Sequence, residues 1–295
     1  MSSSPSPSTP TVTPVYHGDI TAGIMDIVNT DFTVPPSLPH THTVVFLHGR
    51  GDQPRNFASS LLRSRDSQGH SLFEAFPSIR WVFPAPAAAR PNERQCQWFD
   101  VYSVVDFADH EDVQTPGLRV SVGLTRNVLE REAAALDGRW DRIVLAGISQ
   151  GAATGVHTLL NLSIPSPPGQ EAIPQGLAAF LSFSARLPFS GRSLADTRAV
   201  LALDDVPAHN DLLRNTPMLL EHCIDDGLVP VTNGRALRDS LSAFGANVTW
   251  REYPDGGHWF NSPTGMEEAV VFLEKALGIT RAAAAAKPRW TCQAQ

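Results

Sequence analysis

The chain has 295 residues, of which 42% are hydrophobic and 18% are charged, so it can bury a sizeable core and is not disordered throughout. Its formal net charge is −7, its two lysines are Lys275 and Lys287, and its arginines are scattered along the sequence. These features exclude the clustered positive charge that binding to nucleic acid or to an anionic membrane requires.

The N-terminal residues contain no recognisable targeting signal. Residues 1–15 are rich in Ser, Pro and Thr and are predicted to form a disordered tail, with Ser2 where a myristoylated protein has glycine. Cys96, Cys223 and Cys292 are too far apart for a zinc motif and do not suggest a disulfide framework. We therefore expect a cytoplasmic protein with no stable membrane anchor, no metal and no organic cofactor. The oligomeric state stays open.

Apolar runs alternate with helical patterns between residues 16 and 280, which we predict to be a single domain followed by an alanine-rich tail at 281–295. The predicted strands cover 43–47, 81–83, 142–146, 177–183, 218–222 and 248–253. The predicted helices cover 150–161, 231–244, 265–277 and a stripe formed by Leu118, Val122, Thr125, Leu129 and Ala133. Strands that are apolar on both faces indicate an α/β fold, with a mostly parallel, doubly wound sheet and helices on both faces. The functional site of such a sheet lies at the carboxyl ends of its strands.

A glycine–serine motif lies between a predicted strand and a predicted helix. Its sequence is Gly147-Ile-Ser-Gln-Gly151, a G-x-S-x-G pattern. In this context the pattern forms a sharp turn that projects the serine above the sheet, and the two glycines prevent steric clashes. We predict that Ser149 is a nucleophile and that the backbone N–H of Gln150 helps to bind an oxyanion. The glycine-rich loop 48–52 is expected to supply a second donor, the N–H of Arg50.

A serine nucleophile needs a base, which follows it in the chain order of this type of fold. Four histidines follow Ser149: His157, His209, His222 and His258. The first lies inside the helix after the serine, the second has no recognisable sequence context, and the third lies in a predicted strand. His258 lies in a glycine-rich loop just after the last strand, and we predict that it is the base.

The acid that orients the base is expected after the preceding strand. Asp225 and Asp226 are adjacent there, and two neighbouring side chains point in different directions, so only one can reach the imidazole. Spacing alone does not choose between them. Asp255 is three residues from His258 and is interpreted as a turn former.

Taken together, five segments resemble the acyl-protein thioesterase and small carboxylesterase (lysophospholipase-like) family of α/β-hydrolases. In order, they are Phe46-Leu-His-Gly-Arg-Gly-Asp52, Phe83-Pro-Ala-Pro with Gln97-Trp-Phe-Asp100, Ala146-Gly-Ile-Ser-Gln-Gly-Ala152, Leu181-Ser-Phe-Ser-Ala-Arg-Leu-Pro188, and Asp226-Gly-Leu-Val-Pro230 with Gly257-His258. By this resemblance the acid is Asp226, the first residue of the Asp-x-Leu-Val-Pro segment. Two positions depart from the family: Arg50 replaces a leucine and Ala152 replaces a glycine.

The resemblance implies a serine hydrolase that cleaves carboxylic esters or thioesters through an acyl-enzyme on Ser149. Its substrate would be a small acyl ester or thioester, and acylated proteins and lysophospholipids belong to this class. Two alternatives remain open. The same triad would serve an acyltransferase, or an acyl-releasing thioesterase in a biosynthetic pathway. The chain would otherwise be a non-catalytic, ligand-binding member of the fold.

Several side chains near the predicted carboxyl edge of the sheet either line an acyl groove or belong to the core. We predict that Trp98, Phe99, Leu228 and Trp259 contact the substrate, with Phe260 as a further candidate. The Arg50 guanidinium has three possible environments: it contacts an anionic group of the substrate, points into water, or pairs with Asp52.

Overall fold

The computed structural model describes residues 30–87, 96–164 and 176–283. These residues form a seven-stranded sheet with the order β1-β3-β2-β4-β5-β6-β7. The strands are β1 Phe32–Val34, β2 His42–Leu47, β3 Ile79–Phe83, β4 Ile143–Ile148, β5 Ala179–Phe183, β6 Met218–Cys223 and β7 Val248–Tyr253. Only β1 is antiparallel to its neighbour, whereas the other six strands are parallel. The predicted α/β fold with a mostly parallel sheet is confirmed.

Helices cover both faces of this sheet. They are α1 Pro54–Leu61, α2 Leu72–Ala75, α3 Gln114–Ala134, α4 Gln150–Asn161, α5 Leu194–Ala199, α6 Asp211–Asn215, α7 Val231–Ala243 and α8 Thr264–Leu277. Buried side chains of α3, α4, α6 and α7 pack in one apolar cluster, and those of α1, α2 and α8 pack in a second. The four apolar residues of the predicted stripe on α3 belong to the first cluster, and Thr125 of the same stripe is also buried.

The strands alternate between these two clusters. On β4, Ile143 and Leu145 belong to the first cluster, whereas Val144 and Ala146 belong to the second, and all four are at most 1% exposed. Successive side chains of a strand point to opposite faces, so a run that is apolar at every position must be buried on both sides. This explains why the continuous apolar runs of the sequence were sufficient to locate the central strands.

The structure differs from the sequence prediction in its shortest elements. Strand β1 and helices α1, α2, α5 and α6 have between three and eight residues and were not predicted. Elements of this length contain too few periods for a pattern to emerge, and they depend on tertiary packing. The predicted strand at 177–183 also begins later, at Ala179.

The C-terminal end of the domain packs beyond the predicted boundary at residue 280. Arg281 forms ion pairs with Glu267 and Glu274 on α8, and the backbone N–H of Ala282 donates to the carbonyl oxygen of Ala75 (2.8 Å). The predicted tail at 281–295 therefore begins with packed residues, and its remainder at 284–295 lies outside the described residues. The predicted disordered tail at 1–15 also lies outside them, and the N-terminal domain boundary at residue 16 stays a prediction.

The parallel register brings several loops to one edge of the sheet. Leu47 at the end of β2 pairs with Gly147 near the end of β4. Cys223 at the end of β6 pairs with Tyr253 at the end of β7. The loops that follow these four strands contain the glycine-rich loop, the nucleophile turn, the aspartate pair and His258, so the fold gathers the predicted site at the carboxyl edge.

Candidate active site

The backbone at Ser149 has a positive φ, which a non-glycine residue rarely adopts, with φ 56° and ψ −123°. Its N–H donates to the carbonyl oxygen of Phe183 on the neighbouring strand (2.9 Å). A Cβ atom at Gly147 would lie 2.6 Å from the backbone nitrogen of Ala152, and one at Gly151 would lie 2.4 Å from the carbonyl oxygens of Leu47 and His48. Both glycines are therefore required by close backbone approach, as the sequence motif indicates.

The two predicted oxyanion donors flank the serine. Helix α4 begins at Gln150, so the N–H of this residue is among the first of the helix and has no acceptor within it. The glycine-rich loop approaches from β2, because a Cβ atom at Gly49 would lie 3.5 Å from the Cβ atom of Ser149. Gly49, Arg50, Ser149 and Gln150 all line the same cavity. This arrangement suits two backbone N–H groups converging beside the serine oxygen.

The Gln150 side chain joins the nucleophile turn to the segment around Trp98. Its Oε1 accepts the backbone N–H of Trp98 (2.9 Å), and its Nε2 donates to the carbonyl oxygen of Phe99 (2.7 Å). The Trp98 indole N–H in turn donates to the carbonyl oxygen of His48 in the glycine-rich loop (2.8 Å). Trp98 is 2% exposed and does not line the cavity, so the structure places it behind the glycine-rich loop and not in the predicted acyl groove. The predicted substrate contact of Trp98 is not seen because its ring packs in the first apolar cluster.

The predicted base and one of the two aspartates are in direct contact. Nδ1 of His258 lies 2.8 Å from Oδ2 of Asp226, whose carboxylate is completely buried. The Oδ1 atom of the same carboxylate accepts the N–H groups of Leu228 and Val229 (2.9 Å each). Asp225 points elsewhere and accepts the N–H of Gly257 through Oδ1 (2.8 Å). The geometry therefore pairs Asp226 with the imidazole, and Asp225 holds the loop before it.

Hydrogen bonding controls the ionisation of Asp226. Burial alone would raise its pKa, but hydrogen bonds from His222, His258, Val229 and Leu228 outweigh burial and hold the pKa of Asp226 well below its ordinary value. The carboxylate is therefore ionised at neutral pH. Since an ionised carboxylate only accepts hydrogen bonds, the His258 nitrogen that faces it carries the proton. The other ring nitrogen, Nε2, is then free to accept one.

Sequence reasoning missed the role of His222, which it set aside because the residue lies in a strand. His222 is 1% exposed, and its Nε2 lies 2.8 Å from the carbonyl oxygen of Val229 and 3.3 Å from Oδ2 of Asp226, so its one N–H is shared between these two acceptors. His258 contacts this same oxygen. The position of His222 four residues before Asp226 is the sequence signal that could have identified it. His222 therefore contacts the carboxylate that faces His258. His157, also set aside from the sequence, is fully buried, and its Nε2 lies 3.1 Å from the carbonyl oxygen of Pro188.

A cavity of about 610 Å³ opens in front of these groups. Ser149 and His258 both line it, together with Phe99, Leu228 and Trp259, which were predicted to contact the substrate. Phe260 is 3% exposed and packs in the second apolar cluster, so it belongs to the core. Most of the remaining lining is apolar. The cavity can therefore accommodate an apolar chain next to the serine.

The Arg50 side chain is exposed to water and also makes a hydrogen bond that the sequence did not predict. Its Nε donates to Oε1 of Gln97 (3.1 Å), and the guanidinium is exposed at the mouth of the cavity. Gln97 also donates to Asp100 (2.9 Å). The Arg50 side chain therefore links the glycine-rich loop to the segment 97–100, and its backbone N–H remains available for the predicted role.

Across 30–87, 96–164 and 176–283, no three or more His, Cys, Asp or Glu side chains are grouped so that they could hold a metal ion. No helix in these same ranges has the length and apolar character needed to cross a membrane.

Comparisons with known proteins identify relatives along nearly all of the described chain. A family model described as phospholipase/carboxylesterase matches residues 28–277. Acyl-protein thioesterase 1 of Gibberella zeae is 27% identical over 251 residues, which cover 82% of this chain and 94% of that protein. The crystal structure of Zea mays acyl-protein thioesterase 2 is similar with a TM-score of 0.63 and 26% identity, and covers 85% of this chain and 100% of that one. Esterase PE8, at 20% identity and a TM-score of 0.62, supports the fold alone.

Proposed function

The chain belongs to the phospholipase/carboxylesterase family, and we propose that Ser149, His258 and Asp226 form its catalytic triad for the hydrolysis of carboxylic esters and thioesters. The observation that carries this proposal is the contact between His258 and the buried Asp226 carboxylate, at the edge of a cavity that Ser149 also lines. A serine becomes a good nucleophile when an imidazole takes its proton and a carboxylate orients and stabilises that imidazole.

In the proposed reaction, Ser149 attacks the carbonyl carbon of the ester while Nε2 of His258 takes the serine proton. Asp226 fixes the imidazole tautomer and stabilises the imidazolium that forms. The backbone N–H groups of Gln150 and Arg50 bind the oxyanion. His258 then returns the proton to the leaving group, and a water molecule activated by the same histidine releases the acid from Ser149.

The cavity and the relatives both indicate the class of substrate. An apolar wall that includes Phe99, Leu228 and Trp259 suits the acyl chain of a small ester or thioester. The fungal and plant relatives named above are acyl-protein thioesterases. Acylated proteins and lysophospholipids are therefore proposed substrate classes, and a cytoplasmic location is part of the same proposal.

A panel of matched thioesters and oxygen esters of increasing chain length tests the proposed function. We expect the wild-type protein to hydrolyse members of both series and to be inactivated by a fluorophosphonate. Ser149→Ala should abolish both the hydrolysis and the labelling, because the serine carries the whole covalent route. Full activity in Ser149→Ala, with its fold verified by circular dichroism, would end this proposal.

A further inference from the structure

A buried arginine lies in the wall of the active-site cavity and has no role in the proposed triad. Arg186 follows strand β5, is 7% exposed and lines the cavity together with Ser149 and His258. A buried cation is costly unless partners compensate its charge. The contacts of Arg186 therefore decide whether it only supports the fold or also serves a ligand.

Within the described chain, the protein provides only partial compensation for this cation. Nη2 of Arg186 donates to Oε1 of Gln114 (2.7 Å), which is a neutral acceptor. The nearby carboxylate is that of Glu111, whose Oε1 lies 3.7 Å from Nη1 and already accepts the N–H of Phe189 (2.6 Å). Neither Gln114 nor Glu111 lines the cavity. Since a guanidinium has five N–H donors, part of its hydrogen-bonding capacity is left on the cavity side.

Two aromatic rings hold the guanidinium in place without neutralising it. Its central carbon lies 4.4 Å from the ring centroid of Phe107 and 6.0 Å from that of Phe99, and both rings line the cavity. Burial lowers the pKa of Arg186 to about 10, and Glu111 opposes this shift, so the side chain remains charged at neutral pH. The result is a preoriented positive charge in a largely apolar wall.

Arg50 differs from Arg186 in each of these respects. It is exposed at the cavity mouth and donates to Gln97, so water screens its charge. A fully apolar substrate would cover Arg186 and remove its remaining water without replacing the lost hydrogen bonds. A substrate with an anionic group at this depth would instead satisfy them, and a planar carboxylate matches the guanidinium fork.

We propose that Arg186 is the specificity-determining residue of an anion subsite that binds a carboxylate carried by the ester substrate. The inference rests on the proposed function, because the subsite has meaning only if Ser149 attacks an ester in this cavity. The carboxylate belongs either to the acyl group or to the leaving group. The experiment below distinguishes these two sources.

The test compares two matched pairs of esters. In the first pair the carboxylate is on the acyl group: the para-nitrophenyl monoester of glutarate and para-nitrophenyl pentanoate. In the second pair it is on the leaving group: the acetate ester of para-hydroxyphenylpropanoate and that of the corresponding amide. In one pair we expect Arg186→Met to lower the ratio of kcat/KM for the anionic ester to kcat/KM for the neutral ester by about 10- to 100-fold. Arg186→Lys, which keeps the charge but loses the fork, should recover part of the ratio.

A second variant removes the carboxylate that lies near Arg186 and leaves the arginine in place. Glu111→Gln keeps an oxygen acceptor for the N–H of Phe189 but removes the competing negative charge, so it should raise the ratio in the same pair. Folding of each variant is checked by thermal melting followed by circular dichroism. If Arg186→Met does not fold, Glu111→Gln alone tests whether Arg186 binds the carboxylate of the ester. Unchanged ratios in both pairs, in an enzyme that reacts with a fluorophosphonate, would overturn the anion subsite alone. A wild-type protein that neither hydrolyses any of the four esters nor reacts with the fluorophosphonate would overturn the proposed function itself.

Discussion

The nucleophile turn and the acid–base edge of the site are held in place by different forces. At the nucleophile turn, backbone atoms approach so closely that Gly147 and Gly151 have no room for a side chain. At the acid–base edge, which contains Asp226 and His258, hydrogen bonds between buried polar groups fix the side chains. The Asp226 carboxylate has polar contacts with His222, His258, Leu228 and Val229. The serine is positioned by packing and the imidazole by polar contacts.

This difference determines how each region responds to change. A packed turn tolerates no added atoms, so substitutions there act on folding and on the serine together. A hydrogen-bonded edge can lose a donor or a charge and still keep its shape, so substitutions there act mainly on rate and pH dependence. Variants in the two regions should therefore differ in which quantity they change most: folding stability at the turn, and rate or pH dependence at the edge.

Adding a single methyl group at the turn should have the largest effect. In Gly151→Ala the new Cβ atom would lie 2.4 Å from two backbone carbonyl oxygens. We expect this variant to lose esterase activity and more than about 3 kcal/mol of unfolding free energy in urea denaturation. Gly123→Ala on α3 is the matched control, since nothing lies within 4 Å of the added atom. It should gain about 0.5–1 kcal/mol from helix propensity. Equal stability of the two variants would contradict the packing account.

At the acid–base edge, the two adjacent aspartates provide a matched pair. Asp226→Asn removes the charge that fixes the His258 tautomer and should lower kcat by about 1,000- to 10,000-fold, as expected for the acid of a Ser-His-Asp triad. Asp225→Asn keeps an oxygen acceptor for the N–H of Gly257 and should cost at most about five-fold. Both variants should fold normally. The opposite ranking of their kcat values would show that the acid was assigned to the wrong residue.

The contribution of His222 should appear in the pH profile. His222→Leu removes a donor from Asp226, so the carboxylate holds the His258 proton more strongly. We expect kcat/KM to fall by about 10- to 100-fold and its acid limb to move to higher pH. His222→Gln, whose amide can donate near the position of Nε2, should restore much of the rate. Since hydrogen bonds keep the pKa of Asp226 well below its ordinary value, the acid limb does not arise from this carboxylate. A loss of rate without any movement of the acid limb would indicate a purely structural role.

On the packed side of the site, the helix α4 that follows the nucleophile turn contains His157. This residue should affect the pH dependence of stability and not that of activity. Burial lowers the pKa of His157 on α4 to about 4. The unfolded chain therefore binds a proton at this residue below about pH 6.5 while the folded chain does not, so stability is complete above this pH and falls as the pH drops toward 4. This histidine should account for about 2 kcal/mol of the loss between pH 7 and pH 5. Urea denaturation of His157→Gln should show a pH dependence smaller by that amount, and an unchanged dependence would be contrary to expectation.

The same contrast explains how much could be predicted from the sequence. Steric requirements are local, so the motif around Ser149 predicted both its turn and its two indispensable glycines. The choice between Asp225 and Asp226 depends on a contact across 32 residues, and spacing left it open. The contact of His222 with Asp226 and the position of Trp98 behind the glycine-rich loop depend on burial and on the direction of a side chain. A pattern of residue types specifies neither of these.

Trapping of the acyl-enzyme would show whether Ser149 is the nucleophile. The wild-type protein is mixed with an activated ester, quenched in acid during turnover, digested and analysed by mass spectrometry. We predict that the peptide containing Ser149 gains the mass of the acyl group, and that the adduct accumulates further in Asp226→Asn if deacylation becomes the slow step. Turnover with an acyl adduct on a different residue, and none on Ser149, would contradict the account.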